Sequence, residues 1–263
     1  MKAARPIVIK IAETRTNPDG IREMLQELQV SEEGMRRFAD REDTGEVLME
    51  LAGRICYESF EVGLNPNVTR IRRDPKEYFG NLLRRGDGSV VEHASVSFAL
   101  LNISRIATHE LARHRVGIAF SQESLRYVRL RDIKFWLPDE LSEDQRKAMI
   151  RAVEQAEATY HGLEGDIPWD ELSMDAKKRL TSALRRILPD GLATNVIWTA
   201  NHRTLRWLIE MRTDPAAEVE IRMVFDQIGE ICKRDFPNIY QDFVRTELPD
   251  GTGSWHPTLR SKV

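Results

Sequence analysis

Thiols are scarce in this chain of 263 residues: only Cys56 and Cys232 carry one, and they sit in unrelated contexts. They form no CxxC pair and no histidine cluster stands at metal-ligand spacing, so neither a disulfide framework nor a zinc site is expected. A reducing, cytoplasmic home is expected instead. No apolar run approaches the about 18 residues of a membrane span, and residues 2–6 lead directly into strand-like sequence, so neither membrane insertion nor secretion is expected. A GxGxxG loop and a P-loop are both missing, so a nucleotide would have to be held by side-chain arginines and helix N-termini. Internal repeats and low-complexity linkers are missing too, which leaves one globular domain as the default, with two small ones as the alternative. Positive charge is not in excess. The 39 Lys plus Arg against 42 Asp plus Glu give a net charge of -3, which argues against nucleic acid as a whole-molecule partner.

With 41% apolar and 31% charged residues, the chain can bury a substantial core without metal or crosslinks. Residues 6–12 (PIVIKIA) read as a strand and residues 21–30 as a helix, followed by a charged loop through Arg41 and Glu42. Helical spacing runs over 44–60 and places Cys56 on the apolar face as a core thiol. After a turn at Asn65-Pro66-Asn67, Asp74-Pro75-Lys76-Glu77 opens a helix that stops near Gly86. Residues 93–103 alternate as a strand with one wetter face. Ser104 caps a helix expected to reach Arg113, residues 127–137 look extended, and Ser142 and Ser173 open two further helices. Residues 193–200 form a strand, Asn201 caps a helix over 202–212, and residues 216–236 form the last long helix. The Gly- and Pro-containing tail beyond Leu248 is expected to be loose. Strands interspersed irregularly with helices predict an α+β fold, with residues 1–248 as a single catalytic domain and 249–263 as a tail.

Arginine is the residue with a local excess. Arg105, Arg113, Arg115, Arg126, Arg129 and Arg131 fall within one short span, and Ser121, Gln122 and Ser124 interleave hydroxyl and amide groups. Guanidinium groups bind phosphate bidentately, so the composition suits a small anion. A helix end with solvated arginines accounts for Arg113 and Arg115 but not for the polar run after them; composition supports the two readings equally. Arg185, Asn201, Arg203 and Arg212 form a second group. Taken singly, Arg203 and Arg212 fit an amphipathic helix with ion pairs to Glu210, Glu218 or Glu220. The helix start at Asn201 nonetheless offers backbone N–H groups to an anion.

The order of motifs goes further. Thr108-His109-Glu110-Leu111-Ala112-Arg113-His114-Arg115, followed by Ser121-Gln122-Glu123-Ser124-Leu125-Arg126-Tyr127, resembles the RHR signature of the flavin-dependent thymidylate synthases (ThyX). Upstream, Ala52-Gly53-Arg54-Ile55-Cys56-Tyr57 and Val91-Glu92-His93-Ala94-Ser95 are similar to the family's early helix and EH segment. Downstream, Leu188-Pro189, Trp198-Thr199-Ala200-Asn201-His202-Arg203, Met211-Arg212 and Glu220-Ile221-Arg222 recur in the family's order. The resemblance implies a mainly antiparallel sheet with flanking helices, assembled as a homotetramer whose active sites lie at subunit interfaces. It implies that Glu110, Arg113, Gln122, Ser124, Arg126, Tyr127, Arg185 and Arg212 bind dUMP, with Arg212, Ser124 and Arg126 at the reaction itself. It assigns FAD to His93, Ser95, Arg113, His114, Arg115, Asn201, Arg203 and Trp207, with no metal.

The implied reaction converts dUMP to dTMP, with methylenetetrahydrofolate as carbon donor and NADPH as reductant, and needs no protein nucleophile. Two departures stand out. Eight residues separate Arg115 from Ser124, one more than the family's usual loop, and its usual serine is replaced near Ile118-Ala119. Trp207 stands where the family commonly has His or Asn. They leave as alternatives an enzyme of this fold acting on a different pyrimidine nucleotide, and a catalytically silent nucleotide-binding paralogue.

Overall fold

The computed structural model describes residues 2–42 and 44–262. Its elements, in chain order, begin with β1 (Lys2–Ala3), β2 (Ile7–Glu13), α1 (Pro18–Glu27), α2 (Glu32–Ala39), α3 (Gly45–Ile55) and α4 (Pro75–Arg85). A 3-10 turn (Gly88–Glu92) leads into β3 (Ser95–Ser104), α5 (Arg105–Leu111), β4 (Ile118–Gln122), β5 (Lys134–Phe135), α6 (Glu143–Gly165) and α7 (Met174–Leu184). The chain closes with β6 (Ala193–Asn201), α8 (His202–Arg212), α9 (Val219–Asp235), β7 (Phe243–Glu247) and β8 (Gly253–Pro257). The α+β expectation holds. Four strands form a sheet in the order β2-β3-β6-β4, with two-stranded pairs β1-β5 and β7-β8 beside it. Bonds from Glu123 N–H to Asn195 O and from Asn201 N–H to Gly117 O, both 2.9 Å, run in opposite chain order, so β4 and β6 are antiparallel.

Helix starts follow local chemistry. Ser104, Ser142, Ser173 and Asn201 each accept a backbone N–H from the first helical turn, and Asp74 accepts two, from Lys76 and Glu77. Four expectations are corrected. The charged loop before Arg41 contains α2, whose Met35, Phe38 and Ala39 are buried; its apolar face is a sparse set among glutamates and arginines. Arg113 and His114 do not lie on the helix of Glu110, because α5 ends at Leu111 and bonds of Arg113 N–H to Glu110 O and His114 N–H to Leu111 O tighten the chain into a turn.

Residues 127–137 are extended as a strand only at β5. The amides of Tyr127 and Val128 both turn back to Ser124 O, while those of Leu130 and Ile133 are taken by Tyr160 Oη and Glu157 Oε1 of α6. The tail beyond Leu248 is not loose, since β8 pairs antiparallel with β7 from Phe243↔Pro257 to Glu247↔Gly253, and Trp255 is buried.

The chain divides into two compact units. The first holds the described residues up to Ile9 with Ala99–His114 and Phe120–Trp198; the second holds Lys10–Phe98, Arg115–Ala119 and everything from Thr199 onward. In the first unit Leu125, Ile133, Phe135, Val153 and Leu192 form an apolar cluster that holds the chain after the signature segment against α6. In the second, Ile21, Leu25, Met35, Phe38, Val47, Leu51 and Phe60 bind α1, α2 and α3 together.

Candidate functional site

The signature segment in the first unit is built on a turn. Ser124 Oγ accepts the Arg126 amide at 3.3 Å and Ser124 O accepts the Tyr127 amide at 3.0 Å, so the loop presents Arg126 and Tyr127 outward, both exposed. Opposite them stands α7. Arg126, Asp175, Lys178, Arg179 and Ser182 line an opening of about 340 Å³, which holds three cationic side chains against one carboxylate. Lys178 Nζ lies 5.2 Å from the Tyr127 ring centroid, and its hydrogen bond to the phenol lowers the Tyr127 pKa.

A second cationic pair sits nearby in the same unit. Arg105 donates from Nη2 to Glu123 O at 3.1 Å, but its buried Nε has no partner. Burial lowers its pKa, Glu123 opposes this, and the neighbouring Arg185 charge lowers it further. An anion beside Arg105 would offset the effect of the neighbouring Arg185 charge on it. Gln122 is fixed by a 3.3 Å bond from Nε2 to Thr108 Oγ1, and Thr108 is fully buried. Arg113, Arg126 and Arg185 are exposed, and among the described residues their guanidinium groups make no hydrogen bond or ion pair within the fold. Glu110 and His114 belong to this unit as well, both half-buried.

The second unit carries His93, Ser95, Arg115, Asn201, Arg203, Trp207 and Arg212. Here Gly117, with φ +69, packs so tightly on the start of α8 that a Cβ would lie 2.4 Å from Asn201 Nδ2 and 2.6 Å from Thr204 Oγ1. Asn201 N–H donates to Gly117 O, Thr204 Oγ1 donates to Val116 O at 2.8 Å, and Asn201 Oδ1 accepts the Thr204 amide at 2.9 Å. The His202 amide is taken by Ala94 O at 3.1 Å. Two donors at this helix start are thus used by the fold itself. That leaves fewer N–H groups for an anion at this start than expected, and exposed Arg115 and Arg203 carry positive charge in the same unit.

Arg203 pairs with Glu92 at 2.5 Å, a carboxylate that precedes β3. Trp207, one turn further along α8, is 38% exposed. Ser95 is tied through its backbone to Thr14, and His93 is exposed at the end of the 3-10 turn. An exposed indole beside an exposed guanidinium, with exposed Arg115 in the same unit, fits a flat cofactor that carries a diphosphate.

Thiol chemistry has little room. Cys232 is fully buried, and burial pushes its pKa up to about 12, so it stays a neutral thiol. Cys56 is not the core thiol expected: it follows the end of α3, exposed, with its Sγ 3.3 Å from Ala52 O. It lines a separate cavity of about 390 Å³ in the second unit with Tyr57, Arg70, Arg72 and Arg85. Among the described residues no group of His, Cys, Asp or Glu is arranged to hold a metal, and no helix is long and apolar enough to cross a membrane.

The structure therefore brings Arg126 and Tyr127 together with α7 in one unit, and in the other places Arg203 and Trp207 on α8, which Asn201 caps. Sequence reading missed Lys178, Arg179 and Ser182 as lining groups and counted Arg105 without giving it a place. A signal existed for α7, since Lys178 and Ser182 are one helical turn apart and Arg185 follows three residues later.

Comparison with known proteins agrees with the motifs. A family model described as "Thymidylate synthase complementing protein" matches residues 37–238. The "Flavin-dependent thymidylate synthase" of Mycobacterium tuberculosis (strain ATCC 25618 / H37Rv) is 35% identical over 216 residues, covering 80% of this chain and 84% of the relative. The protein of that name from Mycobacterium leprae (strain TN) is 34% identical over 225 residues with the same coverage.

Proposed function

This chain belongs to the flavin-dependent thymidylate synthase family, and from that premise we propose that it converts dUMP to dTMP, with FAD as cofactor, methylenetetrahydrofolate as carbon donor and NADPH as reductant. The observation that carries the nucleotide half of this reading is the opening between Arg126 and α7. Arg126, Lys178 and Arg179 supply the positive charge that a phosphate dianion requires, and Ser182 supplies a hydroxyl. Arg105 and Arg185 add a second cationic pair in the same unit. Gln122, anchored on Thr108 through its amide N–H, would have its carbonyl oxygen for a ligand, and the Tyr127 ring lies beside Lys178.

Ser124 acts as a ligand rather than a nucleophile in this reading: its hydroxyl accepts the Arg126 amide, and a flavin-dependent reaction needs no protein nucleophile. Arg212, at the end of α8, supplies a fixed positive charge for the negative charge that develops on the pyrimidine, a role that requires no proton transfer by the protein. His93, Ser95, Arg113, His114, Arg115, Asn201, Arg203 and Trp207 are the groups that would hold the cofactor, with arginines on its diphosphate and the indole on its flat face. When bound, the reduced flavin supplies the hydride that turns the transferred methylene into a methyl group. The protein's own part is to hold, orient and neutralise.

Assembly belongs to the same proposal. On β2 the alternate residues Ile7, Ile9 and Ile11 are each about half exposed, an apolar row that supports burial against further copies of the chain in a homotetramer. A cytoplasmic location accords with dUMP as substrate and with an exposed, unpaired Cys56.

The test is product analysis by mass spectrometry after incubation of the purified yellow protein with dUMP, methylenetetrahydrofolate and NADPH. Formation of dTMP is the expected result. Turnover of another pyrimidine nucleotide with none of dUMP would move the assignment to a neighbouring substrate, the direction in which the longer signature loop and Trp207 point. A colourless protein that binds dUMP but cannot be reconstituted with FAD would leave only a nucleotide binder.

A further inference from the structure

Neither the Glu220-Ile221-Arg222 motif nor the segment after Leu248 has a part in the reaction as described, yet in the second unit both lead to the residues that follow Arg212. Thr213 is completely buried and uses its hydroxyl twice, donating to Ile209 O at 2.7 Å and accepting the Trp255 amide at 2.8 Å. The next loop is held by Arg222, which is 5% exposed and donates to Pro215 O at 2.8 Å and Ala217 O at 3.2 Å. The same guanidinium reaches the tail, bonding Thr252 Oγ1 at 2.8 Å and the Asp250 carboxylate. Thr252 in turn donates to Asp250 Oδ1 at 2.6 Å.

The tail is itself fixed on α9. Asp226 accepts the Trp255 indole N–H at 2.8 Å, the Gly253 amide at 2.7 Å and two bonds from Arg245. Gly229 makes room for the indole and Gly253 for the Arg245–Asp226 pair, since a Cβ at either would collide with these groups. The last turn of a helix lacks partners for its carbonyls and frays unless something holds it. Here the end of α8 and the loop after it are bonded on both sides to a buried arginine and a paired tail.

We propose that Thr213, Arg222 and Thr252 form a brace that positions Arg212 for the pyrimidine, acting through the backbone and touching no ligand. This rests on the role given to Arg212 under Proposed function. A displacement of about 1 Å at a reacting centre can cost on the order of a hundredfold in rate, so the order of this segment is part of turnover as well as of folding.

The full-length protein with Thr213→Val keeps the side-chain shape and loses the hydroxyl; Thr213→Ser keeps the hydroxyl. Thr213→Val is expected to lose about tenfold or more in kcat/KM for dUMP, with flavin absorbance close to wild type and a lower melting temperature but a folded state at the assay temperature, and Thr213→Ser to recover most of the loss in rate. Thr252→Val, which removes one of the two bonds from Arg222 to the tail and leaves the one to Asp250, gives the same pattern in milder form and serves if the first variant does not fold. Arg212→Ala is measured alongside. If it keeps full activity, the role of Arg212 is wrong and the brace falls with it. If it is inactive while a folded Thr213→Val or Thr252→Val turns dUMP over normally, the brace alone is wrong. A Thr213→Ser as impaired as Thr213→Val also overturns it.

Discussion

Two populations of arginine divide the molecule. In the second unit Arg54, Arg206 and Arg222 are at most 5% exposed, and each is bonded inside the fold, with only the Nε of Arg206 left without a partner. Arg54 binds Glu50 from Nε at 2.8 Å and Nη2 at 2.6 Å, and Ser59 O at 2.8 Å; Arg206 binds both oxygens of Asp242 at 2.9 Å and Ile239 O at 2.5 Å. In the first unit Arg113, Arg126 and Arg185 stand exposed and unspent. The cause is desolvation. A buried charge must be matched by the protein's own acceptors, whereas an exposed one keeps its full capacity for a ligand. The same side chain is therefore mortar where it is buried, and where it is exposed it keeps donors that a ligand could take.

That contrast is open to direct attack. Arg206→Ala should unfold the protein most readily, because it leaves the Asp242 carboxylate buried without its partner, at a cost of about 3–5 kcal/mol by chemical denaturation. A loss below about 1 kcal/mol would mean the pair is not the anchor described. Arg212→Ala should cost activity, with dTMP formation falling on the order of a hundredfold to a thousandfold. Flavin content should stay close to wild type, and equal loss of both would contradict a role at the pyrimidine. Arg126→Ala comes next: KM for dUMP should rise roughly tenfold, with stability changed by no more than about 0.5 kcal/mol. A drop in melting temperature without a change in KM would return Arg126 to the structural class.

Acid gives a smaller, graded effect in the second unit. His202 is completely buried, and burial, helped by the Arg206 charge, lowers its pKa to about 3 from 6.5. Between those values the unfolded imidazole holds a proton that the folded one does not, so stability is lost as pH falls, by up to about 1.4 kcal/mol per unit. Denaturation at pH 6.5 and 5.5 should show this slope, and a flat profile would mean His202 accepts a proton in the folded state. The least effect is expected from Cys56→Ser and Cys232→Ser, which should retain activity; complete loss in a folded variant would reopen thiol catalysis.

Much of the fold was legible in the sequence, for reasons that differ by element. Caps at Asp74, Ser104, Ser142, Ser173 and Asn201 were readable because side-chain capping is a local event, and β3 and β6 because one buried face imposes alternation. The tail was not, since Trp255 is ordered by Asp226 and Thr213, which lie 29 and 42 residues away. The fate of residues 127–137 was hidden for the same reason: Glu157 and Tyr160 of α6 take amides that would otherwise seek a strand. At the site, residue types and order pointed to an anion. Which arginines are spent and which remain depends on burial, which spacing alone does not report; Arg105 and Lys178 emerge only once α7 stands beside the signature turn.

The central claim is that unspent guanidinium groups of the first unit grip the nucleotide's phosphate. Calorimetric titration of the holoenzyme with dUMP and with deoxyuridine, on wild type and Arg126→Ala, tests it most directly. Wild type should bind dUMP at least about a hundredfold more tightly than deoxyuridine, two or more charge-assisted bonds at about 1.5–3 kcal/mol each, and Arg126→Ala should close much of that gap. Equal affinity of wild type for the two ligands, or a gap untouched by Arg126→Ala, would contradict it.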